Sequence, residues 1–252
     1  MTKKYPSLIA LILLILAFSP AKADWINLTG AETAANIAEI TVFDERIEVA
    51  LEVYVGDLEV FEELIPDDWV KDMQVERPPL EERLARFSDT SLQFVTDNGE
   101  TLRAELRLAE PRLRKDRYSP FAGMMNPFTR RMVPDAHADK RVLYAELVYP
   151  FGETAPKTLT MNPPLDAEGR PRVNIGFIVY HKSVPVIDFR YFGAPSVLTL
   201  DSDPWYSRFD NPNLKRHHKD ALMSFLYVEP YEVSAGIRAP YNVLSLRPWS
   251  QR

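Results

Sequence analysis

The chain has 252 residues, with 30 Lys+Arg against 36 Asp+Glu (a formal net charge of −6) and no cysteine. The acidic balance excludes a general nucleic-acid binder, which needs a basic face to displace counterions. The missing cysteine excludes a thiol nucleophile, a thiolate metal site, a lipidated N-terminal cysteine and any disulfide framework, so the fold must be held by packing.

Lys3 and Lys4 precede an unbroken apolar run from Leu8 to Phe18, Pro20 breaks that run, and Ala21-Lys22-Ala23 supplies the small residues of an A-x-A cleavage site. The run is about half the length a spanning helix needs. Residues 1–23 are therefore expected to form a secretory signal peptide cleaved after Ala23, and 24–252 a single exported domain, periplasmic or secreted. Losing Lys3, Lys4 and Lys22 leaves 27 basic against 36 acidic residues, a net of −9. No other stretch approaches membrane-spanning length. Asn27-Leu28-Thr29 has the form of an N-glycosylation sequon.

Twenty-one prolines and nine glycines suit many short elements joined by fixed turns. Ile47, Val49, Leu51, Val53 and Val55 alternate with Glu48, Ala50, Glu52 and Tyr54, a period of two that predicts a half-buried strand with one solvated face. Asp44-Glu45 joins it to Ile37–Phe43 as a hairpin. Short helices are predicted near 57–65, with Leu58, Phe61, Leu64 and Ile65 on one side, and near 79–87, with Pro79 in the first turn and Leu80, Leu84 and Phe87 inward. Asn98-Gly99 predicts a two-residue hairpin turn between Leu92 and Leu108, because both central residues must reach positive φ. Strand-like runs resume at 141–150, 157–162, 172–181, 184–192, 196–201, 221–229 and 231–238, with Lys182-Ser183 as a tight return. The fold class that follows is mainly β: an antiparallel β-sandwich-like domain with one or two short helices. A subdivision at 111–140 is the alternative, and it requires each half to close its own core.

Residues 111–140 have no sustained period and mix prolines, methionines and basic residues, and a connection of that length is commonly functional. Arg114, Arg117, Tyr118, Phe121, Met124, Met125, Phe128, Arg130 and Arg131 are its candidate partner-binding residues. Met124, Met125 and Met132 with His137 could be soft copper ligands, but five arginines, Arg112 among them, would repel a cation. His137, His217 and His218 are weak metal candidates; adjacent side chains of an extended 217–218 pair face opposite ways, and His181 completes the four histidines. Asp201, Asp203, Trp205 and Tyr206 could bind or hydrolyse a glycan through paired carboxylates and stacking rings. The same residues are good turn chemistry, with Asp bonding its own backbone and Pro204 fixing φ. Asp188 interrupts an apolar run and is expected to be exposed or paired with Arg190 or Arg172. No G-x-S-x-G, Walker loop or G-x-G-x-x-G occurs.

The functional expectation is an exported, soluble, non-catalytic β-domain, without cofactor, that binds a protein partner or envelope component through 111–140. A glycan-acting protein and a periplasmic metal-binding protein are the alternatives.

Overall fold

The computed structural model describes residues 29–70, 76–117, 119, 121–127, 129–152 and 155–216, together with the backbone of 223–228 and 233–238. The first hairpin forms where the alternation placed it. Strand β1 (Asn36–Val42) and β2 (Arg46–Tyr54) pair antiparallel from Ile37 opposite Glu52 to Val42 opposite Ile47. The Phe43 amide donates to the Arg46 carbonyl at 2.8 Å and closes the turn. The chain then runs through a 3-10 stretch, Val55–Leu64, that breaks its dihedrals at Phe61 and buries Phe61 and Leu64. Helix α1 (Leu80–Thr90) follows, with Glu81 and Glu82 in a first turn that favours negative charge. Its inward face differs from expectation. Leu80 is 42% exposed, whereas Arg83 is buried, held by the carbonyls of Glu63, Ile65 and Pro78 and by the Asp67 carboxylate.

The turn at 97–100 also departs from the expected type. Among the described non-glycine residues only Arg130 and Lys182 have positive φ, so Asn98 does not adopt a two-residue mirror-image turn; Gly99 alone does, at φ 84°. The Gly99 amide donates to Thr96 O and the Thr96 amide to Glu100 O, which is the longer turn with a glycine bulge. The hairpin is correspondingly short. Beyond that turn, strand β3 (Gln93–Thr96) meets the returning chain at Val95–Thr101 and at the Leu102 amide, and β4 (Glu105–Leu113) then crosses to the other sheet.

Strands β5 (Arg141–Pro150), β6 (Thr158–Asn162), β7 (Ile175–His181), β8 (Val184–Pro185), β9 (Arg190–Tyr191), β10 (Ser196–Thr199) and β11 (Arg208–Phe209) complete two sheets that pack together. The larger runs β4-β5-β2-β1-β7-β8, with β9 also on β7; the smaller runs β11-β10-β6-β3. Both draw strands from either side of 111–140. The class is mainly β and sandwich-like, and the larger sheet is mixed, because β1 and β7 pair parallel. Parallel neighbours require a long crossover, and here everything from β2 to β6 lies between them. Strands β12 (Met223–Val228) and β13 (Val233–Arg238) pair with each other as a separate ribbon.

One core joins the sheets. Ile40, Leu51, Ala145, Leu147 and Val179 from the larger meet Phe94, Leu159, Met161, Leu198 and Phe209 from the smaller. Two aromatic contacts cross the interface, Phe94–Tyr149 with ring centroids 4.6 Å apart and Phe177–Phe209 at 6.2 Å. Tyr149 is fully buried and its hydroxyl donates to Leu92 O at 2.9 Å; burial pushes its ionisation well above the usual tyrosine range. Tyr149→Phe leaves that carbonyl unpaired, and is expected to cost about 1–2 kcal/mol by equilibrium denaturation.

Candidate functional site

The 114–140 connection is not a free loop. It leaves β4 and returns to β5, the neighbouring strand, with the Arg114 amide donating to Lys140 O at 2.8 Å. Its base is fixed to the outer face of the larger sheet. Arg117 reaches Glu52 on β2 at 2.7 Å and Glu39 on β1 at 2.8 Å. Arg114 is buried and donates to Ala34 O at 2.7 Å. Glu52, placed by alternation on the outer face, is only 5% exposed because this connection covers it. The Thr33 hydroxyl bonds Pro134 O, Val133 is buried, and Pro134 approaches Gly30 so closely that only a residue without Cβ, at φ 70°, fits there. His137 packs its ring on Tyr54 at 4.4 Å.

Electrostatics follow this packing. Burial pulls the Arg117 guanidinium down, but the bonds from Glu52 and Glu39 push it up and prevail. Arg114 goes the other way, lowered chiefly by burial. At the exit of the connection, the hydrogen bonds from Arg141 hold Asp139 down to about 2.

Beyond this base the chain makes a small hairpin at 121–134. The Val133 amide donates to Met124 O and the Asn126 amide to Arg131 O, both at 2.8 Å. These bonds bracket Met125 and Met132, which face each other as a non-hydrogen-bonded cross-strand pair, the arrangement with the closest side chains. Met124, Met125 and Met132 are 55%, 63% and 56% exposed, and Arg130 and Arg131 beside them are exposed as well. The predicted binding residues therefore divide. Arg114 and Arg117 lie at the base of the connection, Arg117 bonded to Glu52 and Glu39 of the sheet and Arg114 donating through Nη2 to Ala34 O while its Nη1 is buried without a hydrogen-bond partner. Met124, Met125, Arg130 and Arg131 form the surface, with Phe121 partly buried below. Tyr118 and Phe128 lie outside the described residues, as do His217, His218, residues 1–23 and Asn27.

The 201–206 region is built as a turn. Asp201 Oδ1 accepts the Asp203 amide and Asp203 Oδ1 the Trp205 amide, both at 3.0 Å, capping the 3-10 turn Pro204–Tyr206. Trp205 is covered by the Arg216 guanidinium, 4.1 Å from its ring. Tyr206 stays exposed at 51%. Asp188 faces Arg190 at 3.8 Å, the paired alternative. The His137 Nδ1 accepts the Asp139 amide, and among the described residues no three of His, Asp and Glu are placed to hold a metal ion.

Sequence reasoning missed a buried tie between the sheets. His181 ends β7, and its Nδ1 lies 2.7 Å from the hydroxyl of Ser207, just before β11. Ser207 Oγ also accepts the Asp201 amide at 2.9 Å, which links the pair to the 201–206 turn. Burial lowers the His181 pKa first and Lys182 next, against weaker opposition from Asp44, Asp201 and Asp203. The folded value is depressed, so the unfolded chain binds the proton more readily. Stability is then whole above the unfolded value of about 6.5 and is lost as pH falls below it. Urea midpoints between pH 7.5 and 5.5 are expected to drop in the native protein and to drop less in His181→Asn.

Comparison with protein-family models, curated proteins and solved structures returns no match for this chain.

Proposed function

We propose that this chain is an exported, non-catalytic binding protein whose contact surface is the 121–134 hairpin. One observation carries the reading: three methionines, each more than half exposed and two of them the cross-strand pair Met125–Met132, stand together on a base tied to the sheet. Methionine is unbranched and polarisable, and it makes adaptable apolar contacts. A tip of this composition on a rigid stem keeps the loss of backbone freedom on binding small. Arg130 and Arg131 add a positive rim on an acidic chain, which suits a partner with an apolar patch edged by carboxylates. Export rests on the leader pattern of residues 1–23, and the mature N-terminus read by mass spectrometry is expected at Asp24.

A photo-crosslinking side chain at Met125 is expected to trap one discrete partner in cells, with none trapped from exposed Glu168 on a remote turn. Arg130→Glu with Arg131→Glu should abolish the adduct while the unfolding transition stays in place. Equal labelling from both positions, or no adduct at Met125, removes the hairpin from consideration.

A further inference from the structure

We infer that the 121–134 hairpin is the chain's site of oxidative modification: hydrogen peroxide converts Met124, Met125 and Met132 to sulfoxides, and this switches the contact surface off. The switch rests on the reading of the hairpin as that surface, whereas the modification site stands without it.

The methionines fall into two sets. Among those whose side chains the structure describes, Met124, Met125 and Met132 are 55%, 63% and 56% exposed, and Met161 is fully buried. Met161 stands opposite Phe94 on β3 and Ser196 on β10, inside the core between the sheets. Thioether oxidation follows access to the sulfur, so the accessible sulfurs of the described residues are gathered in one hairpin. No thiol competes for the oxidant, since the chain has no cysteine.

Each oxidation balances between the side chain and the peroxide. A sulfur lone pair attacks one peroxide oxygen and the O–O bond breaks. The departing hydroxide takes the proton from the transferred oxygen and leaves as water. The thioether loses two electrons and the peroxide gains them. A polar, chiral group with an acceptor oxygen then stands where an apolar side chain stood.

The build of the hairpin decides what this does. Its shape is set by backbone bonds. The Val133 amide donates to Met124 O, the Asn126 amide to Arg131 O and the Arg130 amide to Asn126 O, all at 2.8 Å, and the Gly123 amide to Val133 O at 3.0 Å. None of these uses a sulfur, and side chains already more than half exposed can carry the new oxygen into water. The oxidised hairpin therefore stays folded. Met125 and Met132 are cross-strand neighbours, so two sulfoxides stand side by side on one face, with Met124 on the other. An apolar patch that covers them must strip water from acceptors it cannot pair, a cost that apolar contact does not offset.

Limited peroxide treatment of the mature chain, followed by peptide mapping in a mass spectrometer, is expected to add one oxygen at each hairpin methionine at least ~tenfold faster than at Met161. The thermal unfolding transition should stay in place. A comparable rate at Met161, or loss of that transition as the hairpin is oxidised, overturns the site. For the switch, a photo-crosslinking side chain at exposed Thr129 leaves all three methionines intact. The purified chain is oxidised to graded extents, freed of peroxide with catalase, and irradiated with untreated cell-envelope extract, so that only this chain carries the oxygen. The adduct is expected to fall in step with oxidation at Met125 and Met132. An adduct that persists once both are fully oxidised overturns the switch. No adduct from the unoxidised chain removes the binding reading and the switch with it, while the mass map still decides the modification site.

Discussion

Gly176→Ala is expected to be the most damaging single methyl addition in the larger sheet. A Cβ built at Gly176 falls 1.8 Å from the carbonyl oxygen of Ala31 and 2.9 Å from its carbon. Both are backbone atoms of the 3-10 turn Ala31–Thr33, which lies on β7, so no side-chain rotation can make room. Either that turn lifts off or β7 shifts against β1, where Gly176 stands opposite Ile37 in the parallel register. Overpacking that a core can absorb costs about 1–3 kcal/mol; a backbone clash at a strand pair should exceed the upper figure. Gly152→Ala is the control, because Gly152 is exposed and a Cβ there meets nothing within 4 Å. Denaturation midpoints are expected to move strongly for the first and by less than about 0.5 kcal/mol for the second. Comparable midpoints would mean that the turn does not sit on β7.

Arg117→Met is expected to cost about 3–5 kcal/mol, the usual penalty for orphaning a buried charge. The loss falls on Glu52 rather than Glu39. Glu39 has a side chain 37% exposed and can turn to water, whereas that of Glu52 is 7% exposed beneath the connection. Glu39→Gln should accordingly cost under about 1 kcal/mol. The informative variant is the double replacement Arg117→Met with Glu52→Met, which removes both charges from the same place. Recovery of most of the lost stability in that variant identifies desolvation of an unpaired carboxylate as the cause. Equal instability of the single and double variants would instead show that the guanidinium acts by packing, against Phe189 at 6.0 Å for example.

Much of the architecture was legible because it is written locally. The β1–β2 hairpin follows from alternating side chains, and Lys182-Ser183 returns the chain with Lys182 at φ 55°, as a tight turn requires. The 201–206 turn is likewise contained in its own Asp and Pro residues. What stayed hidden depends on partners remote in sequence. Nothing near Glu52 announces that a residue 65 positions away will cover it. Arg83 reads as an exposed helical arginine until the carbonyls of 63, 65 and 78 are found around it. The parallel β1–β7 pair has no local signature, since either strand fits an antiparallel neighbour equally well. The His181–Ser207 tie escaped for the same reason. Of the proposed contact surface, the methionines were visible from composition, while their exposure and the inward turn of Arg114 and Arg117 needed the fold.

The parallel pair has a consequence for the order of assembly. Chains emerge N-terminus first, so β1 can zip to β2 almost at once, while its other edge must wait for β7. During that interval Ala38 and Ile40, both fully buried at the end, have half of their sheet missing. Closing this contact late, across a very long stretch of chain, is the slow kind of step that non-local pairings impose. The nascent chain is therefore most exposed to proteases and to wrong partners until β7 has emerged, and it is the last third of the sequence that seals the first strand.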